Sequence, residues 1–117
     1  MTIVDNQLVT MEKKLEIKCP MRFLLQKIGG KWKPLILQQL KSGTLRFGEL
    51  QRLIPEINKQ MLTKNLRELE QGKLIIRKVY AEVPPKVEYS LSETGVSLIP
   101  VLEVMENWGK EQLKKDV

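Results

Sequence analysis

The sequence contains no histidine and a single cysteine, Cys19. Without histidine there are no Ser-His-Asp triads and no histidine-ligated metal sites. One thiol cannot close an internal disulfide or form a Cys-x-x-Cys pair. The start, Met1-Thr2-Ile3-Val4-Asp5, lacks the basic and apolar regions of a signal peptide. Together with the sparse cysteine it points to the reducing cytoplasm. Aromatic residues make up only 5%, too few for an aromatic platform that stacks bases or sugars. Apolar runs such as Leu35-Ile36-Leu37 fall far short of the roughly 20 residues that span a bilayer. Glu68 and Glu70 have no second acid at a catalytic spacing. No nucleophile–base pair and no metal site can be assembled, so the chain is expected to be neither an enzyme nor a cofactor protein.

What remains is a basic globular chain. Its 117 residues suit one domain. Apolar residues at 42% and charged residues at 29% are those of an ordinary folded protein. The formal charge of +6 favours an anionic partner such as nucleic acid or an anionic membrane. The charge is uneven. Residues 1–57 carry 10 basic and 5 acidic side chains, residues 58–86 carry 7 and 3, and residues 87–117 carry 3 and 6. The positive field belongs to the first three quarters, and the acidic end is a poor candidate for touching phosphate.

Residues 1–18 read as an N-terminal extension, with Met11, Leu15 and Lys18 at a spacing that only weakly suggests helix. Pro20 suits the first position of a helix capped by Cys19, with Met21, Leu24, Leu25 and Ile28 at helical spacing until Gly29-Gly30 breaks it. A second helix follows, with Trp32, Leu35, Ile36 and Leu40 as its stripe and Pro34 in its first turn; Ser42-Gly43 ends it. Leu45-Arg46-Phe47 is extended. A short third helix then turns Phe47, Leu50 and either Leu53 or Ile54 inward until Pro55. Asn58 caps a fourth helix with Leu62, Leu66 and Leu69 buried, and Gly72 is placed to end it in the left-handed conformation. From Leu74 the period becomes that of strands. Ile75, Ile76, Val79, Tyr80 and Val83 lead into Pro84-Pro85, and Val87, Tyr89 and Leu91 alternate with polar residues. Ser92 caps a last helix in which Pro100 must force a kink or a restart. Its stripe of Leu98, Val101, Leu102, Met105, Trp108 and Leu113 is too long for so small a chain to cover. The fold expected is mainly α with a small β hairpin, a winged helix-turn-helix, with a folded domain over residues 19–113 and a tail over 114–117.

The fourth helix carries the functional signal. At about 100° per residue, Gln60, Lys64, Arg67 and Gln71 fall opposite the leucines, with Thr63 at the flank and Lys59 in the first turn. Amides, a hydroxyl and cations are the groups that read base edges and bind phosphates in a major groove. Lys64 and Arg67 suit guanine or phosphate, and Gln60 suits adenine. An isolated helix with this face would be merely a solvated surface. The tight Pro55–Ile57 turn before it and the hairpin after it favour the DNA-reading alternative. On the hairpin, Arg77, Lys78 and Lys86 are cationic and Pro84-Pro85 stiffens the tip. Lys86 is placed to reach a minor groove or its phosphates, or else to stand on a rigid solvent loop. Arg46 is placed to meet a flanking phosphate, or is an exposed strand residue.

Cys19 has two readings. The partial positive charge of a helix N-terminus, with Lys18 and Arg22 close in sequence, favours a reactive thiol that pairs across a dimer or is capped by a small thiol or an electrophile. The alternative is a small buried apolar side chain. Trp32 and Trp108 read as core or interface, and the five methionines as packing.

Several motifs in order resemble the HxlR-type, MarR-like winged-helix regulators. They are Cys19-Pro20 with Ile28-Gly29-Gly30-Lys31-Trp32, Leu45-Arg46-Phe47-Gly48-Glu49-Leu50, Ile54-Pro55-Glu56-Ile57, and Met61-Leu62-Thr63-Lys64-Asn65-Leu66-Arg67-Glu68-Leu69-Glu70. The hairpin Val79–Leu91, then Ser92-Glu93-Thr94-Gly95 and Trp108-Gly109, complete the resemblance over residues 19–109. It implies a homodimeric bacterial or archaeal regulator of transcription, repressor or activator, joined through its first and last helices. It also implies a recognition helix at residues 58–71, a wing at Pro84–Lys86 and, in some members, an oxidant- or electrophile-sensing cysteine at the place of Cys19. Asn58 stands where the family often has serine. Gly72-Lys73 reverses the usual Asp-Gly, which can shift the helix end by one residue.

The expected partners are therefore double-stranded DNA, a second copy of the chain, and a small-molecule or oxidant effector, with no membrane. The competing reading is a winged-helix adaptor whose basic face meets an acidic protein surface.

Overall fold

The computed structural model describes residues 19–116. The expectations for residues 1–18, including Met11, Leu15 and Lys18, lie outside the described residues. In chain order the elements are α1 (Pro20–Ile28), α2 (Lys33–Leu40), α3 (Phe47–Leu53), α4 (Lys59–Gln71), β1 (Ile75–Tyr80), β2 (Lys86–Leu91) and α5 (Glu93–Asp116). The arrangement is mainly α with one antiparallel hairpin, a winged helix.

Pro20 opens α1 behind an extended Cys19, where the missing proline N–H costs nothing. Of its expected stripe only Ile28 is buried and Leu24 half-buried, while Met21 and Leu25 face outward. In α2 the buried arc is Ile36, Leu37 and Leu40, and Leu35 is 38% exposed. This corrects the expected stripe. The arc from 36 through 40 to 37 spans about 100°, and position 35 lies on the other side of it. The short helix packs against α5, β2, α3 and α4 at once, so its buried arc cannot be a single narrow row.

Leu45 pairs with Tyr89, its N–H donating to the Tyr89 carbonyl at 2.9 Å and its carbonyl accepting from Tyr89 N–H at 2.8 Å. That bridge lays the extended segment beside β2. Glu49 Oε1 accepts from Arg46 N–H at 2.9 Å and closes the start of α3. Of the two candidates near the end of that helix, Ile54 is buried and Leu53 is 50% exposed. A tight turn follows, Ile57 N–H donating to the Ile54 carbonyl at 3.2 Å.

Asn58 Oδ1 accepts from Met61 N–H at 2.8 Å and caps α4 as expected. The end of α4 differs from expectation. Gly72 keeps a right-handed φ of −76°, and Lys73 adopts the left-handed one at φ 63°. Leu74 N–H reaches back to the Leu69 carbonyl at 3.0 Å and Lys73 N–H to that of Glu70 at 2.9 Å. This paired closure needs its left-handed residue one position after the cap. That position is Lys73, because the helix runs one residue further than a glycine stop at 72 would allow.

β1 and β2 pair from Ile75↔Leu91 to Tyr80↔Lys86. Ser92 then serves both neighbours, its Oγ accepting from Gly95 N–H at 3.0 Å and donating to the Lys73 carbonyl at 2.7 Å. Gly95 is buried against the Leu74 backbone, so close that a Cβ there would collide with the carbonyl. Pro100 lies inside α5, which runs from Glu93 to Asp116. Of the expected kink or restart, the restart is absent, and the helix continues past Pro100. The core gathers Leu37, Leu50, Leu62, Leu66, Leu69, Leu74 and Leu102 from every layer.

Candidate nucleic-acid interface

The outward face of α4 is built by subtraction. Leu62, Leu66 and Leu69 are buried, so the 3.6-residue period leaves Lys59, Gln60, Thr63, Lys64, Arg67 and Gln71 exposed. With Glu68 they line one open hollow of about 380 Å³ along the helix. The Thr63 hydroxyl donates to the Lys59 carbonyl at 2.8 Å, which leaves its oxygen as an acceptor toward solvent. The acid on this face is tied elsewhere: Glu68 pairs with Lys33 of α2 at 3.4 Å. Asn65, buried among the leucines, donates to the Met61 carbonyl at 2.7 Å and so presents no free amide to the core.

The C-terminus of α4 is fixed from α1. Lys27 Nζ donates to the Gly72 carbonyl at 3.0 Å, putting a cation where the helix dipole is negative. Sequence periodicity alone does not reveal Lys33 and Lys27, because both contacts cross between helices far apart in the chain.

The hairpin stands beside this face. Arg77 of β1 and Tyr89 of β2 line a second hollow of about 270 Å³ together with Thr63, Leu66, Arg67 and Glu70. In the sequence Arg77 is only one of three hairpin cations and Tyr89 only a strand residue; the strand register joins them. Lys86 is placed differently from a free tip residue. It pairs with Glu88 at 3.6 Å and its ammonium lies 4.8 Å from the centre of the Tyr80 ring, with Lys78 at 4.9 Å. Glu88 is held below the ordinary glutamate range, chiefly by a hydrogen bond from Tyr80; partial desolvation opposes this, and the nearby Lys86, with a weaker contribution from Arg46, adds to the lowering. Arg46 is exposed at the start of α3, on the hairpin side through the Leu45–Tyr89 bridge. The structure therefore brings Gln60, Thr63, Lys64 and Arg67 together on one helix, with Lys59 in its first turn. Arg46 and Lys86 sit around Glu88, off that face.

Cys19 is a free, exposed thiol at the start of α1, which overturns the reading of it as a buried apolar side chain. Among the described residues no group of three or more acids, cysteines or histidines could hold a metal. No helix there is long and apolar enough to cross a membrane.

Comparison with known proteins gives a consistent result. Residues 27–117 match the HxlR-like helix-turn-helix family. An HTH-type transcriptional regulator of Methanothermobacter thermautotrophicus is 54% identical over 95 residues, 81% of this chain and 72% of the relative. The redox regulator HypR in its oxidized form superposes with a TM-score of 0.76 at 47% identity, covering 80% of this chain and 96% of HypR. The quinone-bound YodB of B. subtilis superposes with a TM-score of 0.68 at 34% identity, covering 80% of this chain and 99% of YodB.

Proposed function

The chain belongs to the HxlR-like helix-turn-helix family, and we propose that it is a transcriptional regulator that binds duplex DNA sequence-specifically as a homodimer. The observation that carries this reading is the split of α4 into a fully buried leucine row and an exposed row of Gln60, Lys64 and Arg67. In this reading α4 enters the major groove. Lys64 and Arg67 address guanine or phosphate, Gln60 addresses adenine, and Lys59 and Thr63 contact the edges of the site. Arg46 meets a flanking phosphate, and the wing lies alongside with Lys86 near the adjacent backbone. The DNA-binding unit is residues 19–113, with residues 1–18 an extension and 114–117 a tail whose residues 114–116 continue α5. The second copy docks on the apolar sides of α1 and α5, where Met21, Leu25, Val104 and Trp108 are exposed. Two recognition helices then read half-sites roughly 34–36 Å apart.

The test is a gel shift against genomic fragments, including the DNA beside the chain's own gene, at physiological salt. Specific retardation is expected. Arg67→Ala and Lys64→Ala each weaken it about tenfold, the loss of one charge-assisted contact, with thermal midpoints nearly unchanged. Retardation of no fragment favours the adaptor that meets an acidic protein.

Signal response is a second part of the reading, favoured by the exposure of Cys19 and by the oxidized HypR and quinone-bound YodB structures. Attack of the Cys19 sulfur on a quinone ring carbon, with the thiol proton passing to one quinone oxygen and the hydrogen of the attacked carbon moving to the other, gives a thioether of the hydroquinone. Diamide is the oxidant for the alternative disulfide between protomers. Either agent lowers operator affinity in the wild type and leaves Cys19→Ser unaffected. Identical responses in the two make Cys19 structural.

A further inference from the structure

We propose that the cleft between α4 and the hairpin seats one backbone phosphate of the bound duplex, held by Arg67, Arg77 and the hydroxyl of Tyr89. The assignment rests on the DNA-binding reading above and adds a site to it. Arg77 and Tyr89 face each other across the two strands, so their side chains share one face of the hairpin. That face forms one wall of the 270 Å³ hollow, and Thr63, Leu66, Arg67 and Glu70 of α4 form the other.

Tyr89 supplies the second, independent observation. It is 9% exposed, yet its hydroxyl makes no hydrogen bond to any described residue. Among the described residues no buried side-chain polar atom is left without a partner, so the hydroxyl is not sealed in the core: it reaches the surface of the cleft that Tyr89 lines. A tyrosine buried for packing alone would present no donor there.

The lining fits an oxyanion. The Thr63 hydroxyl is committed to the Lys59 carbonyl as a donor, leaving two guanidinium groups and the phenol to donate. Guanidinium forks match phosphate oxygens in geometry. Two arginines and Glu70 leave the lining with one net positive charge, the complement of a singly charged phosphodiester. Thr63 and Arg67 border this cleft and the hollow on the readout face alike. A strand whose bases meet Gln60 and Lys64 therefore runs its backbone past the cleft mouth. Contacts of this kind fix register on the duplex without reading sequence.

The test compares wild type, Arg77→Ala and Tyr89→Phe by fluorescence anisotropy on two duplexes of about 30 base pairs, one random and one an operator fragment recovered by gel shift, across about 50 to 200 mM salt. Arg77→Ala should lose about tenfold in affinity on both duplexes, with a salt dependence shallower by about one unit of slope per cleft. Tyr89→Phe should lose about fivefold on both and keep its thermal midpoint, because the hydroxyl has no partner within the fold. The ratio of operator to random affinity should stay constant in both variants. Wild-type affinity in both variants overturns the assignment. A third measurement separates the source of the anion: the thermal midpoint in inorganic phosphate against chloride at equal ionic strength. Stabilisation by phosphate that needs Arg77, with duplex binding unchanged, makes the cleft a site for a free anion and overturns the backbone assignment. If the wild type binds neither duplex, the DNA-binding reading fails and this site fails with it.

Discussion

In α4 every leucine is covered by the rest of the chain, whereas in α5 most large apolar side chains stand in solvent: Val104 is 69% and Trp108 68% exposed. Both helices are amphipathic, yet only α4 completes its packing within one copy. What it leaves in solvent is its polar face. The apolar face of α5 is left uncovered by the described residues, and exposed patches of that kind mark interaction sites. The polar side of α5 is held to α2 instead. Gln38 Nε2 donates to Glu106 at 2.8 Å and Lys41 lies 3.8 Å from Glu103, contacts that orient the helix while contributing little stability at this exposure.

The contrast can be broken most heavily from the α4 side. Leu66→Ala removes a side chain packed in the centre of the core and should cost about 2–5 kcal/mol, read as a lower denaturation midpoint. An effect below about 0.5 kcal/mol, the range of ordinary surface substitutions, would mean that α4 is not anchored as described. From the α5 side, Trp108→Glu should leave the thermal stability of the isolated protomer nearly unchanged. It should shift the oligomeric state from dimer to monomer in sedimentation or light scattering, with DNA affinity falling about 100-fold or more as the second half-site is lost. A dimer that persists in Trp108→Glu would sever α5 from the interface.

The smallest effect sharpens the end of α4. Lys73→Gly replaces a lysine held at φ 63° with the residue that adopts this region without a steric cost. It should raise stability by up to about 1 kcal/mol. No gain in the midpoint would contradict the left-handed closure. Arg67→Ala, by contrast, should leave the midpoint alone and change only DNA binding, the opposite pattern to Leu66→Ala at the adjacent position, about 100° around the helix.

Much of this was legible in the sequence because it is local. The leucine spacing of α4, the Asn58 cap, the Ser92 cap and the hairpin with its proline tip are set within a few residues of each other, where period and capping chemistry act. What was not legible depends on who lies opposite. Leu37 rather than Leu35, and Ile54 rather than Leu53, face inward because of the direction from which neighbouring elements approach. The left-handed residue at Lys73 follows from the bond between Leu74 and Leu69, which a glycine at 72 masks. Of the kink or restart that Pro100 suggested, no restart occurs, because the turns on either side of it keep their own backbone bonds. The cleft formed by Arg67, Arg77 and Tyr89 joins a helix to a sheet, and no periodicity in either element announces it. Whether Cys19 is buried in the chain was open in the sequence, because exposure depends on neighbouring elements; in the fold it is exposed.

The central claim is that the exposed row on α4 reads bases through Gln60 and Lys64, beside Arg67 at the backbone. It is tested most directly by the ratio of operator to random-duplex affinity in wild type and in the combined Gln60→Ala, Lys64→Ala, Arg67→Ala variant, with thermal midpoints recorded alongside. Specific recognition by the wild type should give a ratio of about 10³ or more, collapsing toward one in the variant at an unchanged midpoint. A variant that folds normally and keeps the wild-type ratio would place sequence reading somewhere other than α4.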